Sequence, residues 1–290
     1  MTQPLCINSS YCGTPEGYPL NALTDAKRAG FSHVMWAHHW NTDFIYTEPE
    51  IQAVASHLQT LGMAVEDIHG SIGVEKSIYS PVEYERLAGV ELVKNRIEMT
   101  SILDGEFLVL HPCIVHDEKL LPVCREQGLR SLMELESFAL SRGVRIALEN
   151  LFRNSRTKEF DTVLENYDTI EYYLERFESS YLGFCWDTGH CILLGDESFK
   201  RAERIALERL CMVHLTDNQG DYDRHSPPFT WSGIWERIAE VIASSPYRRD
   251  KPFTLEVNAK NNGNDHRTFL SEVHEKGLRF IELFERCCAQ

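Results

Sequence analysis

The stretch Asp187-Thr188-Gly189-His190 brings together two side chains that can hold a divalent cation. It follows the apolar run Leu182–Trp186, which predicts a buried strand ending at the carboxylate. Asp187 is then expected at the last residue of the strand and His190 in the loop that follows, with Gly189 permitting a tight turn. Because a carboxylate and an imidazole that converge at a strand end commonly bind metal, this pair predicts metal-assisted chemistry.

Metal-competent side chains follow seven of the eight short apolar runs in the chain. Glu149, Asp187, His214 and Glu256 close four successive runs, and we predict that these four bind one cation. Three carboxylates and one imidazole form an oxygen-rich set, which suits Mn²⁺ or Mg²⁺ and tolerates Co²⁺ or Zn²⁺. Further candidates, as metal ligands or as contacts with substrate, are His69, His111, His190, Asp223 and His225. For any single histidine a packed or solvated role is the simpler explanation, so the prediction rests on the recurrence at strand ends.

Other residues near the strand ends are more typical of pocket walls than of metal ligation. His38 and His39 directly follow the second apolar run. Trp186 and Trp231 flank the predicted ligands, and we predict that one or two tryptophans form an apolar wall for a sugar face.

The elements that must position these residues alternate between short apolar runs and longer amphipathic ones. The predicted strands are Leu5–Tyr11, Phe31–Ala37, Ala64–Ile68, Phe107–Leu110, Val144–Leu148, Leu182–Trp186, Cys211–Leu215 and Phe253–Val257. The predicted helices are Leu20–Ala29, Pro49–Leu61, Pro81–Leu103, Pro122–Ser141, Thr162–Ser179, Glu197–Leu210, Gly233–Ser244 and Asp265–Cys287. Eight such units without a composition break predict one domain over residues 1–290, an α/β fold that is a single (β/α)8 TIM barrel. An open doubly wound sheet is disfavoured because Cys12–Gly17 is not a glycine-rich phosphate loop.

Composition narrows the possible partners. The net charge of −15 opposes binding to nucleic acid, since phosphate backbones are usually held by basic surfaces. No apolar run approaches the roughly 20 residues that a membrane-spanning helix needs, and no basic-then-apolar signal opens the chain, so we expect a cytoplasmic protein. The nine cysteines have no regular spacing and are expected to be reduced core residues.

The order of the motifs resembles a known superfamily. The motifs are Val-Leu-His-Pro ending at Pro112, Ala-Leu-Glu-Asn ending at Asn150, Asp187-Thr-Gly-His190, Val-His-Leu-Thr-Asp ending at Asp217, and Leu-Glu-Val ending at Val257. Together they resemble the xylose isomerase-like TIM-barrel superfamily (which includes AP endonuclease family 2). That group contains sugar and sugar-phosphate isomerases and epimerases as well as abasic-site nucleases of the endonuclease IV type.

Similarity to ketose 3-epimerases of the D-tagatose 3-epimerase type implies one metal held by Glu149, Asp187, His214 and Glu256. The two glutamates would also be the catalytic acid and base, which move a proton through an enediolate. His190 and Arg224 match substrate-binding positions of that family. The implied substrate is a small carbohydrate, free or phosphorylated, and a homo-oligomer is the corresponding expectation because members are often dimers or tetramers.

Similarity to endonuclease IV implies instead a phosphodiesterase with three zinc ions. The nine matching ligand positions are His69, His111, Glu149, Asp187, His190, His214, Asp223, His225 and Glu256. The loop after His225 departs from the glycine-rich turn of many relatives, because this chain has Pro228-Phe229-Thr230-Trp231. The negative charge also argues against a nuclease. A related metal-dependent lyase or dehydratase, and a non-catalytic sugar- or metal-binding barrel, are the remaining alternatives.

Overall fold

A computed structural model describes residues 3–13, 19–37, 45–70, 77–113, 115, 117–151, 166–262 and 266–289. Its eight parallel strands are hydrogen-bonded in chain order, and the pairing of the eighth strand with the first closes the barrel. The predicted (β/α)8 barrel is therefore confirmed. The strands are β1 (Leu5–Asn8), β2 (His33–Trp36), β3 (Ala64–His69), β4 (Phe107–Leu110), β5 (Arg145–Glu149), β6 (Leu182–Asp187), β7 (Leu210–Leu215) and β8 (Phe253–Leu255).

Helices follow the strands on the outside of the barrel. They are α1 (Leu20–Arg28), α2 (Glu48–Leu61), α3 (Glu83–Ile102), α4 (Leu121–Leu140, preceded by the 3-10 turn Glu118–Leu120), α5 (Asn166–Leu174), α6 (Thr188–Leu194), α7 (Asp196–Arg209), α8 (Trp235–Ser244), α9 (Ala259–Asn262) and α10 (His266–Cys288). Most boundaries agree with the prediction within two residues. The two short helices α6 and α9 were not expected, and the predicted start of the fifth helix lies outside the described residues. None of the helices described is both long and apolar enough to cross a membrane.

Local sequence signals explain where these elements begin and end. The α2 helix starts at a capping box, in which the Thr47 N–H donates to Glu50 Oε2 at 2.7 Å. It ends at Gly62, whose φ of 60° lies in the left-handed region that glycine adopts without strain. The strands in turn are buried on both faces, which is why they read as continuous apolar runs.

Two layers of apolar side chains fill the molecule. The larger layer lies between the strands and the surrounding helices, and it includes Trp186 and Phe199. A smaller cluster inside the barrel contains Phe107, Val109 and Cys185. This inner cluster lies below the carboxyl ends of the strands, so it forms a dry floor under the residues described in the next section.

Strand β3 carries an extra residue relative to β2. The register between β2 and β3 shifts, so that Val34 pairs with Val65 whereas Met35 pairs with Asp67. Glu66 is the residue left over, and the strand contains a β-bulge at this point. Both Glu66 and Asp67 are buried, and they are adjacent acidic residues within an otherwise apolar strand.

The amino end of the barrel contains a network of ion pairs, which we call the amino-end network. Lys251 Nζ lies 2.7 Å from Glu106 Oε2 and 3.4 Å from Glu66 Oε1. Glu106 also pairs with Arg248 at 3.0 Å and with Arg145 at 3.7 Å. Glu66, which is buried, and Glu106, which is half-buried, therefore each lie beside a basic side chain of the protein itself.

Candidate metal centre

Two neighbouring strands end in the carboxylates at the centre of the site. Glu149 is the last residue of β5, and Asp187 is the last residue of β6. Asn150 joins the two strand ends, because its side-chain amide donates to the Asp187 carbonyl and its Oδ1 accepts the Asp187 N–H, both at 2.9 Å. These two hydrogen bonds fix the separation of the carboxylates through the backbone of the sheet.

The spacing of Asp187 and His190 is that of a helix cap. Asp187 Oδ1 accepts a hydrogen bond from the His190 N–H at 2.7 Å, so His190 lies in the first turn of α6 and not in a loop as predicted. Gly189 does not form a turn as predicted. Glycine is needed there because Asn218 and Thr216 approach the helix closely: a Cβ would lie 2.5 Å from Asn218 Nδ2 and 2.6 Å from Thr216 Cγ2. The cap engages one oxygen of Asp187 and leaves Oδ2 free for another partner.

The predicted metal set converges at the mouth of the barrel. One potential ligand atom from each of Glu149, Asp187, His214 and Glu256 lies within 4.8 Å of the others. His214 Nδ1 is 3.3 Å from Glu149 Oε1 and 3.0 Å from Glu256 Oε2. The side chain of Glu256 is 12% exposed and those of the other three are buried, so the group opens to solvent at Glu256. We call these four residues the central group.

A second group shares Glu149 with the first. Its other carboxylate oxygen, Oε2, lies 3.1 Å from His69 Nε2 and 3.3 Å from His111 Nε2. These three residues offer ligand atoms within 4.8 Å of one another. Glu149 can thus serve two adjacent cations through its two oxygens, with one oxygen directed at each group.

A third group consists of His190, Asp223 and His225. Asp223 Oδ2 lies 2.6 Å from His225 Nε2 and 3.7 Å from His190 Nε2. The second ring nitrogen of each histidine faces a backbone carbonyl, that of Asn150 at 2.7 Å for His190 and that of Glu256 at 3.1 Å for His225. A carbonyl accepts only, so each Nδ1 carries a proton; Asp223 favours a proton on each Nε2 as well, and a cation bound here would take the place of those Nε2 protons.

A buried carboxylate organises the loop that carries Asp223 and His225. Asp217, which the sequence places among the metal-competent strand ends, turns away from the three groups and accepts backbone N–H groups of the loop. Its Oδ2 accepts from Thr230 N at 2.9 Å and from Trp231 N at 2.8 Å. The backbone of Asp217 also pairs with Ser226 in an isolated antiparallel bridge. Asp217 therefore has a structural role in shaping this loop.

Burial raises the pKa of the carboxylates in the site, and the neighbouring histidines lower it. Burial would raise the pKa of Glu149, but hydrogen bonds with His111 and His214 outweigh it and hold that pKa well below its usual range. At Asp187 burial prevails over the attraction of His190 and raises the pKa to about 7. Conversely, the carboxylates Asp187 and Asp223 outweigh burial at His190 and raise its pKa to about 10. The central group thus concentrates negative charge that a cation would neutralise.

The residues present fit a divalent cation. Asp187 Oδ2 and Glu256 Oε2 are buried and have no hydrogen-bond partner among the described residues. Leaving such oxygens unsatisfied is costly, and a cation at the common centre of the central group would satisfy both. The central group is rich in oxygen, whereas each outer group has two imidazoles, which favours Zn²⁺ or a similar transition metal there.

The remaining predicted site residues lie in different surroundings. Arg224 points to Asp221, with Nε 3.0 Å from Asp221 Oδ1, and its guanidinium lies 4.1 Å from the centre of the Tyr222 ring. Trp186 is fully buried on the helix side of β6, where its ring packs against Phe199 of α7, so we no longer place it among the substrate contacts. His39 lies outside the described residues.

Sequence reasoning missed two supporting residues. Asn150 was noted only as part of a motif, although it bonds both backbone groups of Asp187. Asp67 lies within the predicted strand Ala64–Ile68 and not after it, so the rule that strand ends carry the ligands does not select it. The available signal was the pair Glu66-Asp67 inside that strand, since charged residues are rarely fully buried without a partner or a role.

Comparisons with known proteins agree with the barrel fold. The sequence model of the family described as "Xylose isomerase-like TIM barrel" matches residues 23–283. The uncharacterized protein y4fM of Sinorhizobium fredii is 28% identical over 289 residues, which cover 91% of this chain and 88% of that protein. The crystal structure of a D-tagatose 3-epimerase-like protein has a TM-score of 0.76 at 17% identity and covers 99% of both chains. A xylose isomerase-like TIM barrel protein from Mycobacterium smegmatis in complex with magnesium has a TM-score of 0.69 at 16% identity, over 99% of this chain and 98% of that one.

Proposed function

The chain belongs to the xylose isomerase-like TIM-barrel family, and from this premise we propose that it is a divalent-metal-dependent sugar or sugar-phosphate epimerase or isomerase. The observation that carries the proposal is the central group, in which two glutamates from β5 and from the end of β8 flank one cation position together with Asp187 and His214. Solved structures of the same fold include proteins named L-ribulose 3-epimerase and D-psicose 3-epimerase. Those names are consistent with the chemistry that two opposed carboxylates can perform.

In the proposed reaction Glu149 and Glu256 are the acid and the base. One carboxylate removes the proton from the carbon next to the substrate carbonyl, and the other returns a proton through an enediolate. The low pKa of Glu149, and the lowered pKa that His214 and His225 give Glu256 against the effect of burial, keep both carboxylates ionised near neutral pH. A cation held by Glu149, Asp187, His214 and Glu256 would supply Lewis acidity that polarises the carbonyl and stabilises the developing negative charge.

Residues of the two outer groups would contact the substrate. His69, His111 and His190 lie around the central group and can donate to hydroxyl oxygens of a sugar. Trp231 replaces Trp186 as the candidate for an apolar wall, because its side chain is 48% exposed and the Arg224 guanidinium lies 5.6 Å from its ring. An exposed tryptophan beside polar groups suits the apolar face of a sugar ring.

Proton exchange tests the proposal directly. Purified protein loaded with Mn²⁺ is incubated in D₂O with a panel of free and phosphorylated ketoses, and NMR follows deuterium entry at the carbon beside the carbonyl. We expect exchange with at least one sugar, and a loss of about 10³-fold or more in Glu256→Gln, which keeps an oxygen ligand but cannot accept the proton at neutral pH.

Two results would contradict the proposal. One is a Glu256→Gln variant that exchanges at the wild-type rate while its Mn²⁺ content is unchanged. The other is a protein that binds Mn²⁺, Mg²⁺, Co²⁺ and Zn²⁺ yet exchanges no proton with any sugar of the panel.

A second candidate is a phosphodiesterase of the endonuclease IV type. It is favoured by the arrangement of all nine family ligand positions in three groups that meet at Glu149, His190 and Asp223. Elemental analysis separates the two candidates, since three zinc ions per chain together with cleavage of an abasic-site duplex would support the nuclease. The net charge of −15 and the absence of a glycine-rich turn at Pro228–Trp231 favour the epimerase.

A further inference from the structure

Asp67 is a buried carboxylate with no assigned role. It lies in β3, its solvent exposure is 0%, and neither of its oxygens has a hydrogen-bond partner among the described residues. A carboxylate in such a place is costly unless something compensates it. Its nearest charged neighbour is His214 of the central group, whose Nε2 lies 3.6 Å from Asp67 Oδ2 and likewise has no hydrogen-bond partner.

The imidazole of His214 therefore lies between two sets of carboxylates. Its Nδ1 faces the cation position, between Glu149 and Glu256, while its Nε2 faces Asp67. The distance of 3.6 Å to Asp67 is slightly longer than a hydrogen bond, so the two groups face each other just beyond hydrogen-bonding range. A carboxylate can only accept, so Asp67 favours a proton on Nε2, whereas on the Nδ1 side a cation between Glu149 and Glu256 would take the place of a proton.

We propose that Asp67 is a positioning residue for the cation site, which holds the Nε2–H of His214 so that the Nδ1 lone pair is directed at the cation. The inference rests on the proposed metal dependence but not on the identity of the substrate. Ligating histidines commonly donate their second N–H to a carboxylate or a carbonyl, which fixes the ring and makes it a stronger ligand.

The choice of a carboxylate at this position has a chemical consequence. His190 and His225 are held by neutral backbone carbonyls, whereas His214 faces a charged group that increases the basicity of the ring. An asparagine in place of Asp67 could turn its NH₂ toward Nε2 and stabilise the opposite tautomer. That tautomer has a proton on Nδ1 and cannot ligate the cation through this atom.

Mn²⁺ affinity tests the proposal. Wild type, Asp67→Asn and Glu66→Gln are stripped of metal and titrated with Mn²⁺, and free Mn²⁺ is measured by electron paramagnetic resonance. Glu66→Gln is the matched control, since it also removes a buried carboxylate from β3, yet this carboxylate lies beside Lys251 and not His214. We expect Asp67→Asn to weaken binding by about 10- to 100-fold and Glu66→Gln to change it by less than about 2-fold.

A second measurement does not depend on how well the variant folds. In wild-type protein loaded with diamagnetic Zn²⁺, ¹H–¹⁵N NMR of labelled histidine should show the His214 proton on Nε2, with the downfield proton shift of a hydrogen bond to a carboxylate. A proton on Nδ1, or an Asp67→Asn variant that binds Mn²⁺ with the wild-type Kd, would overturn the inference.

Failure of the inference is distinguishable from failure of the proposed function. If Asp67→Asn weakens Mn²⁺ binding and no sugar exchanges its proton, the positioning role stands and the epimerase proposal falls. If proton exchange occurs and is metal-dependent but Asp67→Asn binds Mn²⁺ normally, only the positioning role falls. A wild-type protein that binds no Mn²⁺ would overturn both.

Discussion

At the amino end of the barrel, Glu66 and Glu106 lie beside Lys251, whereas at the carboxyl end Glu149, Asp187 and Glu256 lie beside histidines. Both ends bury acidic side chains, and both place them on or next to strands. The two ends differ in the type of side chain that lies beside the carboxylates. Lysine and arginine carry a positive charge at any physiological pH, while an imidazole can lose its proton and offer a lone pair instead.

The partner distinguishes carboxylates that have a structural role from carboxylates that are suited to bind a cation. In the amino-end network Glu66 and Glu106 each have a basic partner within the chain, although Glu66 Oε1 makes no hydrogen bond among the described residues. In the central group, Asp187 Oδ2 and Glu256 Oε2 have no hydrogen-bond partner among the described residues. Three buried carboxylates that converge beside an imidazole are consequently a better indicator of a cation site than a buried carboxylate beside a lysine.

The largest expected effect comes from Glu149→Gln. Glu149 contributes to two of the three groups, so its loss should remove the anchoring charge of both. We expect kcat/KM for proton exchange to fall by about 10³-fold or more, since both the acid–base group and a metal ligand are affected. Elemental analysis should show a lower metal content, while circular dichroism of the metal-free protein should be unchanged. Wild-type metal content in this variant would show that Glu149 is not a shared ligand.

The corresponding change in the amino-end network is Lys251→Met, which keeps an unbranched side chain but removes its positive charge. The free energy of unfolding should fall by about 3 kcal/mol at pH 8, because Glu66 loses its basic partner. Metal content and proton exchange should remain at wild-type levels. Urea denaturation measures the first quantity, and the double variant Lys251→Met/Glu66→Gln should recover part of the loss. If Lys251→Met lowered metal affinity as much as stability, the two ends could not be treated as separate.

The smallest expected effect concerns Glu66→Gln and depends on pH. Burial outweighs the attraction of Lys251 and raises the pKa of Glu66 to about 7. Because this folded-state pKa is above the value in the unfolded chain, the contribution of Glu66 to stability is fully present at low pH and is lost as pH rises through about 7.

Glu66→Gln removes that dependence. We expect it to increase the free energy of unfolding by about 2 kcal/mol at pH 8 and by much less at pH 5, measured by urea denaturation in the presence of a chelator. A variant that is less stable than wild type at pH 8 would contradict this expectation. It would mean that the ionised Glu66–Lys251 pair stabilises the fold.

The fold and the central group could be predicted because both depend on alternation along the chain. Apolar runs mark strands, and in a parallel barrel the residues that follow them meet at one rim, so position along the chain predicts that Glu149, Asp187, His214 and Glu256 converge. Pairings that cross the barrel have no such signal. The contacts of Lys251 with Glu66 and of His214 with Asp67 join residues more than a hundred positions apart, and no local spacing indicates them.

The structure also differs from the predicted positions of two single residues, His190 and Trp186. His190 was expected in a loop, but the Asp187 side chain caps α6 and starts a helix at once. Trp186 was expected to face the substrate because it adjoins Asp187, yet neighbouring residues of a strand point to opposite faces. Its ring consequently packs against Phe199, outside the barrel wall.

The bulge in β3 links the two ends of the barrel more closely than their separation suggests. With one residue inserted opposite β2, the chain can give Glu66 to the amino-end network and the very next residue, Asp67, to the histidine of the cation site. Deleting Glu66 would restore strict alternation and leave Val65 facing the helices and Asp67 facing the barrel interior, so the residues at the rim would keep their orientation. The insertion is therefore what lets two successive acidic residues serve the two ends of the barrel.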